Sequence, residues 1–327
     1  VRKLGALHAE ELVADGHVRA IRWDKDVGYV LDHWPLSEVN IDDPRTFLLS
    51  EHGVRTMALT SLSWLLPVEI SPDGLSVVAV HHDRAIAPAR AYQMYGVEDP
   101  RISKIGKRWY MTTCSVSPER QCTTLYVSDN ALDWRLEGIV LDHQNKDMLY
   151  FEGLVAGRFM ALTRPLGDVY LAYPPDSPYL PGPSINLASS PDGLHWRPRD
   201  QPGIRSRAGS RKTTRTGGGT PPILTDDGWL VLYHGVEMAG AVGIYRTYWA
   251  LLDRDDPCIT LYQADEAPLI CADPDLTAPI SHLMYLGDIV FTTGMVDGGN
   301  HYIVASGEGD LACRITHIPK TVFRLER

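Results

Sequence analysis

Apolar and polar residues alternate at period two along many short stretches of this chain, and almost nowhere at the helical period. RTMALTSLSW, RWYMTTCSVS, CTTLYVSD, GRFMALTRP, GWLVLYHGVE and HYIVASGE each read as a strand. Turn signals separate them: EHG, SPDG, IGK, AGR, TDDG and VDGG. HAEELVADG, residues 8–16, predicts one short N-terminal helix. The pattern is that of an all-β protein.

The strand pairs repeat. TFLLSEHGVRTMALTS, RISKIGKRWYMTTCS, GLVAGRFMALTRP, PPILTDDGWLVLYHG and MYLGDIVFTTGMVDGGNHYIVAS each hold two short strands around a glycine-containing turn. A second set of turns also recurs: SPDGLSV at 71–77, SDNALDW at 128–134 and SSPDGLHW at 189–196. Five hairpin units, at roughly 50 residues for each four-stranded blade, predict a five-bladed β-propeller. One catalytic domain would then span 1–327, with 1–38 as a short N-terminal extension. The competing arrangements are a β-sandwich or two smaller β-domains. In a propeller the inner strands converge on one axis, so residues far apart in sequence share one funnel.

Within this pattern YGVEDPR at 95–101 stands out, because it sets Glu98 and Asp99 side by side at a strand entrance. Proline after an acid favours extended geometry for that acid. IDDPR at 41–45 repeats the layout with Asp43. Composition narrows the partners. The net charge of −10 argues against nucleic acid and requires any anion site to gather its own cations. No run of about 18 apolar residues is present, so no membrane span is expected. The N-terminal residues lack an apolar signal core. Cys114, Cys122, Cys258, Cys271 and Cys313 are odd in number and form no CxxC pair. They read as reduced thiols of a cytoplasmic protein, with no zinc site.

GVEDPRI at 96–102, SDNALDW, GGGTPPILTDDGWLVLYHGV at 217–236 and YWALLDRDDP at 248–257 together resemble glycoside hydrolase family 130, over about residues 40–312. That resemblance implies a five-bladed propeller and activity on β-mannosides, either phosphorolysis or hydrolysis, with inversion. It makes Asp99 the general acid and Glu98 a ligand of sugar hydroxyls. It places Arg164 and His234 at phosphate-binding positions. Arg215 stands where a lysine is usual, and Tyr233 lines the same wall. Asp310 matches a sugar-binding aspartate, and Arg101, Asp43 and Tyr95 complete the expected substrate contacts. Inorganic phosphate would be the co-substrate, with no other cofactor and no metal. Beyond a small oligosaccharide no partner is implied, and a homo-oligomer is compatible with the pattern.

Three departures from the family pattern keep two nucleophiles open. LTSLSWLLP lacks the usual arginine, FEGL at 151–154 replaces F-P-x-K, and the stretch before Asp288 lacks a usual glutamate. If water is the nucleophile, Glu152 is the expected base. A carbohydrate-binding propeller without catalysis is the third reading. Trp64, Tyr95, Tyr150 and Trp249 are aromatic enough to stack on sugars, although core packing explains each equally. The basic, Ser/Thr-rich stretch 201–216 reads as a loop, either a lid over an anion or a solvated surface.

Overall fold

The computed structural model of the chain describes residues 2–6, 13–42, 45–51, 54–167, 170–210, 215–240, 242–284 and 286–325. The N-terminal part holds β1 (Arg2–Ala6), β2 (Val13–Ala14), β3 (His17–Asp24), β4 (Gly28–Pro35), β5 (Val39–Asn40), β6 (Thr46–Glu51), β7 (Val54–Leu59), β8 (Ser61–Leu65), β9 (Val68–Ile70) and β10 (Val77–Val80). They form the sheets β2-β3-β4 and β5-β6-β7 and the pairs β1-β8 and β9-β10. Three larger sheets follow. β11 (Val97–Ile105), β12 (Arg108–Val116), β13 (Gln121–Ser128) and β14 (Arg135–Leu141) make the first. β15 (Asn145–Tyr150), β16 (Phe159–Pro165), β17 (Ile185–Ser190) and β18 (Arg197–Ile204) make the second. β19 (Arg215–Gly218), β20 (Ile223–Thr225), β21 (Gly228–Glu237), β22 (Ile244–Leu252) and β23 (Thr260–Gln263) make the third, where β19 and β20 both pair with β21. A single turn of helix, α1 (Pro274–Thr277), precedes the last sheet of β24 (Val290–Asp297), β25 (His301–Glu308) and β26 (Ala312–Pro319).

The chain is thus all-β. The helix expected over residues 8–16 lies partly outside the described residues. Its second half is β2 and a hairpin turn, with Asp15 and Gly16 at φ 53° and 73°. The Asp-Gly turn signal prevails there over helical periodicity. Asp43 also lies outside the described residues. Four of the five expected hairpins fall on paired strands: β6-β7, β11-β12, β20-β21 and β24-β25. The fifth differs. The 153–165 turn closes on a Val155–Arg158 bridge, and the partner of β16 is β15 upstream.

The Ser-x-Asx turns repeat as the sequence suggests. In 128–134 the Asn130 carbonyl oxygen accepts from the Leu132 and Asp133 amides, and Ser128 Oγ bonds it at 3.0 Å. In 189–196 Asp192 does the same for Leu194, His195 and Ser190. Both turns join the third and fourth strands of their sheets. The 71–77 turn keeps the Ser71 and Leu75 bonds to Asp73 Oδ1, has its Ser76 amide donate to Ser71 Oγ instead, and joins β9 to β10. That turn also reaches the last sheet, where the Asp73 carbonyl meets His317 Nε2 at 2.7 Å.

Successive sheets pack face to face. Met148, Tyr150 and Ala161 of the second larger sheet pack on Ile105, Leu125 and Val127 of the first. Leu149, Leu162 and Leu187 of the second, Leu230, Leu232 and Tyr248 of the third, and Val290, Met295 and Val304 of the last belong to one continuous core, in which Phe151 meets Trp229 edge-on and Trp249 meets Phe323. Covering on both faces removes strict alternation, and β21 is buried along nearly its whole length. Side-chain hydroxyls stitch the layers: Ser103 Oγ donates to the Tyr150 carbonyl at 2.8 Å and Thr112 Oγ1 to the Met148 carbonyl at 2.5 Å. The first strands touch in succession, β8 with β11, β11 with β15, β15 with β19, and β24 with β11.

Gly96 seats the acidic motif on β8. Its φ is 114°, and a Cβ there would stand 2.6 Å from the Ser63 amide nitrogen. Gly106, in the β11-β12 turn at φ 62°, has nothing within 4 Å of such an atom. Gly96→Ala should therefore cost about 2 kcal/mol or more, and Gly106→Ala about 1 kcal/mol. Equal losses in chemical denaturation would contradict this packing.

Candidate active site

Asp99 is displayed by a β-bulge. Between Glu98 and Arg101 the β11-β12 ladder advances three residues on one strand and two on the other. Asp99 sits in that bulge at φ 55°, not in the extended conformation expected before proline. Bulges re-aim side chains and recur beside active sites. β15 carries a second bulge of the same form, between Lys146 and Leu149, with Asp147 at φ 56°. The two lie on neighbouring strands, 48 positions apart.

Their charges cross. Lys146 Nζ stands 2.6 Å from Glu98 Oε1 and 3.6 Å from Asp99 Oδ2. In the reverse direction, Arg101 of β11 reaches Asp147 Oδ1 at 3.4 Å. Arg101 also donates to the Gly219 carbonyl at 2.8 Å and is 2% exposed. It therefore braces three strands and does not face a substrate as expected. Burial pulls the Lys146 ammonium down and the Glu98 carboxylate pushes it up, aided by Cys114 and Asp99; the net is well above the ordinary lysine value. Lys146 and Asp147 were not anticipated from the sequence. The echo of VEDPR in NKDML, one unit later, is the signal that marks them.

Asp147 is the hub of a buried cation cluster. Its Oδ2 lies 2.9 Å from Arg164 Nη2 and 3.8 Å from His234 Nε2. Burial lowers the His234 pKa to about 3; Asp147 opposes the shift, and Arg164, Arg101 and Arg215 reinforce it. His234 is thus neutral at pH 7. Arg164 Nε and His234 Nδ1 are buried with no hydrogen-bond partner among the described residues. The GGG run is explained by this crowding. A Cβ on Gly217, opposite His234 in the ladder, would sit 2.4 Å from His234 Nε2 and 2.6 Å from Asp147 Oδ2. Arg215, on the same short strand, also donates to the Val242 carbonyl at 3.2 Å.

The structure therefore groups Glu98, Asp99, Arg164, His234 and, through its charge, Arg215. Asp310 is placed less directly. It sits at φ 56° in the β25-β26 turn, where the Gly309 amide donates to the Ile289 carbonyl. The adjoining Asp288 binds Arg246 at 2.6 Å, and Arg246 lies opposite Gly235, next to His234. Tyr95 is half-buried, with burial raising its pKa and the Arg22–Asp32 pair nearby.

Two expected members fall outside. Tyr233 points away from His234 into the core, where its hydroxyl donates to the Ala264 carbonyl at 2.7 Å and its ring stacks on Tyr248. Glu152 lies five residues beyond Asp147, past the end of β15 at Tyr150 and in the bend that follows it. It accepts from the Lys104 amide at 3.4 Å, at the opposite end of β11 from Glu98. Burial raises its pKa, but its placement separates it from the acid. Tyr150 and Trp249 are core residues, whereas Trp64 is half-buried against Tyr29. Stretch 201–216 is no simple loop: its ends belong to β18 and β19. A groove of about 660 Å³ lined by Ile270, Cys271, Arg314 and His317 shares no residue with the cluster. Among the described residues no His, Cys, Asp or Glu group is placed to hold a metal ion, and no helix is long and apolar enough to cross a membrane.

The neutral His234 has a measurable consequence. Its folded pKa of about 3 lies below the ordinary 6.5, so the unfolded chain takes up the proton first. The stabilisation is complete above pH 6.5 and is lost as pH falls toward 3. His234→Gln should flatten the pH dependence of unfolding free energy across that window by up to one proton. Parallel slopes for the two proteins would contradict a buried neutral imidazole.

Comparison with known proteins identifies the family. The glycoside hydrolase family 130 profile, described as beta-1,4-mannooligosaccharide phosphorylase, matches residues 60–325. The beta-1,2-mannobiose phosphorylase of Listeria innocua is 29% identical over 293 residues, covering 86% of this chain and 74% of its own. That of Thermoanaerobacter sp. is 30% identical over 240 residues, covering 72% and 69%. The solved Listeria innocua beta-1,2-mannobiose phosphorylase in complex with beta-1,2-mannobiose superposes with a TM-score of 0.81 at 25% identity, covering 98% of this chain and 85% of that one. A family 130 structure described with hydrolases that target beta-1,2 mannosidic linkages in Candida mannan gives 0.61 at 17% identity, over 98% and 93%, a likeness of fold. The chain belongs to glycoside hydrolase family 130, an enzyme family of β-mannoside phosphorylases and glycosidases.

Proposed function

We propose that this enzyme cleaves β-linked manno-oligosaccharides by inverting phosphorolysis, releasing α-mannose 1-phosphate, and that β-1,2-mannobiose is its first substrate to test. The observation that carries the reading is the cluster of Arg164 and neutral His234 on Asp147, with Arg215 nearby, where Asp147 stands one residue along β15 from the lysine that approaches Asp99. Arginine's planar fork suits a tetrahedral oxyanion. A neutral imidazole can donate to a phosphate oxygen without adding charge. Phosphate needs no base, and the base expected for water, Glu152, stands past the end of β15. The β-1,2 linkage is supported by the relatives named above.

In this mechanism Asp99 protonates the glycosidic oxygen while a phosphate oxygen attacks the anomeric carbon from the opposite face. The C1–O bond breaks as the C1–O–P bond forms, and the configuration inverts. Glu98 and Asp310 hold sugar hydroxyls. Tyr95 and Asp43 are further members of the sugar site. The face-to-face sheets with touching first strands support a five-bladed propeller over one domain, with β9-β10 as the outer pair of the first blade. The cysteines are free thiols, which supports a cytoplasmic setting.

Asp99→Asn should keep the fold and lower kcat on mannobiose by about 10²–10⁴. Retention of rate within about threefold would remove Asp99 as the acid. The phosphate arm is tested separately. Wild-type cleavage should require orthophosphate, and Arg164→Ala should raise the KM for phosphate by roughly 10–100-fold while the sugar KM moves little. Equal release of free mannose with and without phosphate would establish hydrolysis instead.

A further inference from the structure

We propose that Lys146 is a positioning residue for Asp99: its ammonium, shared between Glu98 and Asp99, sets the pH above which the acid loses its proton. The inference rests on the reading of Asp99 as general acid. Lys146 Nζ binds Glu98 Oε1 at 2.6 Å and approaches Asp99 Oδ2 at 3.6 Å. All three side chains are at least three-quarters buried, at 24%, 6% and 17% exposure for Lys146, Glu98 and Asp99, so water screens these charges little.

Neighbouring strands bring three further ionisable groups near this triad. From β12, Cys114 lies opposite Glu98, and burial holds it as a thiol. From β16, Arg164 lies opposite Lys146 in the ladder but directs its guanidinium to Asp147. On β15 itself Asp147 is taken by Arg101 and Arg164. Glu98 and Asp99 thus share the Lys146 ammonium.

The sign follows directly. A cation at this distance favours ionised Asp99, whereas Glu98 favours the protonated form. A general acid works only below its pKa, so the pair of opposing charges fixes the alkaline limb of the pH–rate profile. Removing Lys146 leaves Glu98 facing Asp99 with no ammonium between them, and the pKa of the acid rises. Removing the charge of Glu98 leaves Lys146 to Asp99 alone, and it falls.

The test is the pH profile of kcat/KM for β-1,2-mannobiose at saturating orthophosphate, whose own titration is common to every variant. Lys146→Gln should move the alkaline limb up by about 1–3 pH units. Glu98→Gln should move it down, and Lys146→Arg should leave it near the wild-type position. Thermal melting checks each fold, and if Lys146→Gln does not fold the Glu98→Gln shift carries the test. A limb that stays put in these variants, or moves the other way, overturns the proposal whatever the loss in amplitude. Asp99→Asn separates the two layers of the argument. If the limb survives in it, the reading of Asp99 as the acid fails as well. If the limb vanishes in it but does not move in Lys146→Gln or Glu98→Gln, only the role of Lys146 fails.

Discussion

The site depends on a crossed pair of ionic contacts between two adjacent bulges. Glu98 and Asp99 on β11 meet Lys146 on β15, and Arg101 on β11 meets Asp147 on β15. Each strand supplies charges of both signs, so neither bulge can shift without unpairing buried groups on the other. Breaking a buried pair by removing one partner costs about 3–5 kcal/mol, which makes such an interlock a strong constraint on register. It also fixes the position of Asp99, the proposed acid, relative to the cation cluster proposed to hold the nucleophile.

Electrostatics explains why this arrangement is buried deep in a chain of net charge −10. A surface cation in such a protein would be surrounded by acids. Between packed sheets, Arg101 and Arg164 face a single carboxylate, Asp147, and their field, with that of Arg215, helps burial keep His234 neutral. Glycines 217–219 permit the close approach that this density of polar groups needs. The proposed function therefore rests on residues that are mostly enclosed, and the hydrophobic layers on either side of β21 hold them there.

Much of this was legible in the sequence. Period-two alternation and the recurring Ser-x-Asx turns give the all-β class, and the EDPR motif leads to Asp99. Arg164 and His234 were found by family resemblance and do meet across one carboxylate. What escaped was set by local backbone geometry. A positive φ at Asp99 and Asp147 cannot be inferred from residues that ordinarily avoid it, and proline after Asp99 argues for the opposite. Side-chain direction escaped for the same reason: Tyr233 and His234 are neighbours in sequence and point to opposite faces of one strand. Glu152 is close to the site residues in sequence, but it lies past the end of β15, where it accepts from the Lys104 amide at the far end of β11.

The most direct test of the central claim is a crystal structure of the enzyme soaked with mannose and orthophosphate. The account predicts phosphate held by Arg164 and His234, with the anomeric carbon of mannose between it and the Asp99 carboxylate and the Lys146 contacts intact. Phosphate bound away from Arg164 and His234, or mannose seated with Asp99 and the cation cluster on the same side of its anomeric carbon, would contradict it.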